Sequence, residues 1–114
     1  MPEVTMTEHL PVTPTSHAEL IAHFNAQTAK LTWPELARHF ARGVVVNVAP
    51  GMDLVAVAVA MAQDRAEEIE TWTHAGQLQR ASDDDARYWH AQDSVFWAVV
   101  VAPWVLVQEI TENQ

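Results

Sequence analysis

The chain has 114 residues, 49% of them hydrophobic and 18% charged, with five tryptophans and no cysteine. That length suits one domain around one core, and the missing thiols exclude disulfide staples, thiolate metal sites and a cysteine nucleophile. Six basic against fifteen acidic residues leave a formal charge of -9, which disfavours nucleic acid as a partner, since most of that affinity comes from neutralising phosphate.

Residues 1–15 contain no lysine or arginine but hold Pro2, Pro11, Pro14 and four threonines. They read as a flexible tail, neither a secretory signal nor a transit peptide, and a cytoplasmic address is expected. Ser16 and Glu19 stand at capping-box spacing and open a helix whose apolar face is Leu20, Ile21, Phe24 and Leu31, running to about Lys30. A second box follows, with Thr32 as cap, Glu35 as its partner, Pro34 in the first turn, and Leu31 and Leu36 at staple positions. Leu36 and Phe40 continue that stripe to a stop at Gly43.

Val44 to Val48 is short, β-branched and bounded by turn residues, hence a strand. Leu54 to Gln63 alternates valine with alanine as a strand would, yet alanine is depleted in sheets, and a buried helix capped by Asp53 is the expectation. Asp64 and Glu67 form the next box, opening a helix that turns Ala66, Ile69 and Trp72 inward and closes at Gly76. A short edge strand is expected around Leu78. Ser82 caps the last helix, where Asp83, Asp84 and Asp85 complement the dipole while Ala86 and Trp89 face the core.

The segment "VFWAVVVAPWVLV" would reach only about 20 Å as a helix against a hydrocarbon core of about 30 Å, and Pro103 would break it, so a membrane span is excluded. Both of its parities are apolar, which predicts a central strand covered on each side. Pro103 demands a bulge, a bend or an edge, with Trp104 to Gln108 a separate or bent strand. The elements add up to an α+β fold: one compact domain over residues 16–112, with about three or four short strands in a single sheet covered by about five helices.

The stretches "TWPEL", "GVVVNV", "DLVAVAVAMAQD", "GQLQRASDDDARYW" and "FWAVVVAPWVLVQE" resemble a bacterial family catalogued as domain of unknown function 2288. The resemblance runs over about residues 19 to 110. It implies a bacterial, cytoplasmic setting and carries no catalytic or ligand-binding residue onto this sequence.

Chemistry-bearing groups are sparse. His17 and His23 lie about 240° apart around one helix, and His39, His74 and His90 fall near the ends of three others, so no metal-ligating pair is expected. "SDDD" offers clustered carboxylates, but a helix cap explains them. The three glycines are too scattered for a phosphate loop, and Lys30, the sole lysine, sits where a helix end would want a cation. Trp33 and Trp104 adjoin prolines at element boundaries, where an indole serves an interface.

Two functions follow from this reading. One is an interaction or regulatory module that self-associates, through an apolar patch around Trp33, Pro103 and Trp104, with an acidic rim suited to a basic protein partner. A terminal strand left at a sheet edge would offer a template for a second copy. The other is a small enzyme or ligand-binding protein with Asp53 and His39 as the polar groups of one pocket. Neither reading calls for a cofactor or a metal.

Overall fold

The computed structural model describes residues 16–110, so the tail expected at residues 1–15 and the last residues of the expected domain lie outside the described part. Among the described residues there are five helices and five strands: α1 (His17–Gln27), β1 (Ala29–Thr32), α2 (Trp33–Ala41), β2 (Val45–Val48), α3 (Leu54–Ala62), α4 (Ala66–His74), β3 (Leu78–Arg80), α5 (Asp83–Gln92), β4 (Val95–Val101) and β5 (Trp104–Glu109). The α+β expectation holds, with five strands rather than three or four. No described helix is long and apolar enough to cross a membrane.

The strands form one sheet in the order β1-β4-β5-β2-β3. Only β2 and β5 run parallel; the other neighbours are antiparallel. Because strand side chains alternate between faces, the register assigns each residue a side. Leu106 lies level with Val46 and Val99, and all three join a core under α1, α3 and α4 with Leu20, Phe24 and Val57. Val105 and Val107 point the other way, into a core with Leu36 of α2, Trp89 of α5 and Phe96. The sheet is a middle layer, with three helices on one face and two on the other.

The hydrophobic run resolves into β4 and β5, joined by Ala102 and a cis Pro103 between the paired residues Val101 and Trp104. The last strand, β5, is at the centre of the sheet and not at its edge, so it offers no free edge to a second copy. Coverage of β4 is incomplete. Phe96 and Val99 are buried, whereas Trp97 and Val100 are 40% and 58% exposed.

The strand that sequence reasoning missed is β1. The helix expected to reach Lys30 stops at Gln27, where Thr28 takes an extended conformation and its hydroxyl donates to the Phe24 carbonyl at 2.7 Å. Leu31 therefore leaves the α1 stripe, pairs with Phe96 and packs in the opposite core. Other caps formed as expected. Ser16 and Glu19 exchange bonds of 3.0 and 3.3 Å, the Thr32 amide donates to Glu35 at 2.9 Å, and Ser82 and Asp85 bond reciprocally at 3.0 Å.

The box expected at Asp64 and Glu67 does not form. Asp64 is used instead to end α3: it adopts φ 58, its amide donates to the Met61 carbonyl and the Arg65 amide to that of Ala60, the paired bonds of a Schellman motif. Arg65 becomes the cap residue of α4. Ile69 and Trp72 of α4 pack inward as expected, but Ala66 stays exposed.

Leu106 has no exposed surface, and Leu106→Ala should lower the free energy of unfolding by about 3–5 kcal/mol. Val100→Thr, at an exposed position of the adjoining strand, should stay within about 0.5 kcal/mol. Urea denaturation of the two variants checks the contrast.

Candidate functional site

The residues expected to carry function are placed apart. Trp33 is half-buried over the α2–α5 face, its ring 6.0 Å from Trp89 and 5.9 Å from Phe40. Trp104 packs on the other face, where the Arg80 guanidinium lies 5.7 Å from its ring centroid. The sheet separates the two indoles, so Trp33, Pro103 and Trp104 do not make one patch; Pro103 is exposed at the tip of the β4–β5 hairpin. Asp53 and His39 are divided in the same way. His39 sits on α2 with its Nδ1 3.2 Å from Arg42, while Asp53 opens α3 across the sheet. Among the described residues no group of three or more histidine or acidic side chains is placed to hold a metal ion.

Asp53 nonetheless lines two adjoining concavities. As the cap of α3, its Oδ1 accepts the Ala56 amide at 3.1 Å. Helix α1 packs alongside α3, bringing Asn25 near Asp53 and His17 near Arg65, just past the far end of α3. Between α1, α3 and α4 lies a cavity of about 310 Å³, floored by Ile21, Val55, Val59 and Trp72. A second hollow, of about 330 Å³, shares Asn25, Asp53 and Val55 with the first and is walled by Trp97 and Gln108. The two make one groove with Asp53 and Asn25 on the ridge between them.

Its electrostatics are simple. At the outer end Arg65 donates to Glu68 at 3.1 and 3.3 Å and to Gln63 at 2.9 Å, with His17 Nδ1 3.3 Å from its Nη2. That end is a closed set of partners. Asp53 has no cationic partner among the described residues, and its second carboxylate oxygen is uncommitted.

The inner end is fixed from the central strand. Gln108 lies beside Trp97 in the β4–β5 register, and its amide nitrogen donates to the carbonyls of Ala49 and Met52 at 2.9 and 2.7 Å. Both N–H groups are thereby spent on the loop before α3, which turns the amide oxygen away from it. On the other side of Trp97 stands its β1 neighbour Lys30, whose Nζ is 5.2 Å from the ring centroid. The strand that carries Trp97 was expected to be covered on each side, yet the indole is 40% exposed; a strand apolar at both parities gives no clue to which face is left open.

The family model described as a protein of unknown function (DUF2288) matches residues 19–109. Among solved structures, the solution NMR structure of PA1075 from Pseudomonas aeruginosa is similar, at 38% sequence identity and a TM-score of 0.74, over 96% of this chain and 94% of that one. No curated protein matches the chain.

Three substitutions at two positions probe how the groove is supported. Gln108→Leu leaves the carbonyls of Ala49 and Met52 without their donor and should cost about 1–3 kcal/mol. Asp53→Ala removes the cap and should cost about 1 kcal/mol, whereas Asp53→Ser keeps it and should cost a few tenths. Unfolding midpoints in urea read all three.

Proposed function

The chain belongs to the DUF2288 family of unknown function, and we propose that it is a cytoplasmic interaction or regulatory module that docks a segment of a partner protein in the groove along α1, α3 and α4. The observation that carries this reading is the apolar floor. Ile21 is 36% exposed, and Val55 and Trp72 are half-buried, in the first cavity, which has Asn25 and Asp53 at one end and His17, Arg65 and Glu68 at the other. A cavity of about 310 Å³ with an apolar floor between two polar ends is a form that recognition sites take, and an aromatic anchor in it supplies area at small entropic cost. The alternative of a small enzyme or ligand-binding protein loses its polar pair, because the sheet stands between Asp53 and His39.

A specific observation favours self-association as a second activity. The bond from the Trp33 amide to the Ser94 carbonyl, with the β1–β4 register, sets Ser94, Phe96 and Ala98 as the β4 residues whose backbone faces β1. Val100 faces the same side, past the end of β1. Its backbone groups have no strand partner among the described residues, and its side chain is largely exposed. Light scattering after size exclusion should give a dimer that Val100→Glu returns to monomer; a monomeric wild type at high concentration removes the second activity.

The docking reading is tested by selecting displayed random dodecapeptides on the full chain. Peptides rich in bulky apolar residues should emerge and lose about tenfold or more in affinity on Val55→Asp, with the circular dichroism unchanged. No enrichment, or binding that survives Val55→Asp, overturns it.

A further inference from the structure

We propose that the ridge between the two hollows, formed by Asp53 and Asn25, reads a single basic side chain, lysine or arginine, that the partner segment carries beside its apolar anchor. This rests on the docking reading above and names the chemistry of the occupant. Charge complementarity is the first ground. Among the described residues that line the groove, Arg65 and Glu68 pair with each other, which leaves the carboxylate of Asp53 without a charged partner. Asp53 and Asn25 line both hollows, and neither the second Asp53 oxygen nor the Asn25 side-chain amide has a hydrogen-bond partner among the described residues.

The wall next to the ridge suits the same group. The indole of Trp97 is 40% exposed and has an ammonium, that of Lys30, 5.2 Å from its centroid. Lys30 does not line the second hollow, so the part of the indole that borders it is left for a partner's cation, which the ring quadrupole attracts. Gln108 adds an oriented acceptor, since both its N–H groups are spent on Ala49 and Met52 and only its oxygen is left for the hollow. Carboxylate, amide oxygen and indole face are all complementary to a guanidinium or an ammonium, and none of them to an anion.

The obvious objection is the N-terminus of α3, which attracts anions through its free amides. Here Asp53 already supplies the anion, with Oδ1 on the Ala56 amide, and a ligand carboxylate brought beside it would meet like charge. At longer range the formal charge of -9 draws basic segments toward the chain and slows acidic ones.

Isothermal titration with three acetylated and amidated hexapeptides tests the inference. Each has leucines flanking a central arginine, glutamine or glutamate. The arginine peptide should bind the full chain about tenfold tighter than the glutamine peptide, and the glutamate peptide should bind weakest. Asp53→Asn keeps the cap while removing the charge, and should shrink the arginine preference to about twofold or less. Trp97→Leu should reduce it by several-fold. An arginine preference that survives Asp53→Asn overturns the inference. If the three peptides bind alike and all are lost on Val55→Asp, the basic-residue reading falls while the docking reading stands; if none binds, both fall.

Discussion

The fold is organised around burying both sides of β5. Val105 and Val107 must leave water on one side and Leu106 on the other, and a strand can meet that demand only in the middle of a sheet that is covered on both faces. Its neighbours fix the rest. The parallel β2 and the antiparallel β4 take their register from it, so Val46 and Val99 follow Leu106 into one core while Val45 and Ala98 follow the valines into the other. Slipping either neighbour by one residue would exchange every one of these side chains between faces. The division of helices, three over one face and two over the other, follows from which side each loop leaves the sheet.

How the helices end is the second regularity. Each of α2, α3, α4 and α5 closes on a left-handed residue, Gly43, Asp64, Gly76 and Asp93 in turn, and each is followed by an amide bonded back five residues, from Val44, Arg65, Gln77 and Ser94. The same device reverses the chain four times without long loops. Two of the four positions are aspartate, a residue that tolerates this conformation better than most. Ser94 then does more than leave the helix. It is almost fully buried, takes the Trp33 amide on its carbonyl and donates its hydroxyl to Glu109 at 2.7 Å, so the start of β4, the start of α2 and the end of β5 meet at one residue.

Most of this architecture was legible in the sequence because it is written in local chemistry. The caps at Ser16, Asp53 and Ser82 and the proline in the first turn of α2 mark helix starts by the backbone amides they serve. The alanines of Leu54 to Gln63 correctly spoke against a strand. Two misreadings share one cause. Leu31 fell on the α1 stripe by spacing, and Asp64 stood three residues before Glu67, but each side chain or backbone had a competing use: Leu31 in a pairing with a strand sixty-five positions away, and Asp64 in terminating the helix before it. Local spacing cannot rank such uses. The groove was legible only at Asp53, because its other walls, Trp72, Trp97 and Gln108, are brought together by strand order and helix packing, which depend on contacts distant in sequence.

The two bonds from Gln108 to Ala49 and Met52 bear on how the lip of the groove moves. A side chain rooted in the central strand inherits that strand's resistance to opening, and the loop it holds inherits it in turn. Residues 49–52 are thereby tied to the middle of the sheet even though they lie at its surface. Under the docking proposal, a lip held in this way is shaped before a guest arrives, so little freedom would be lost on contact and encounter rather than rearrangement would set the pace of complex formation.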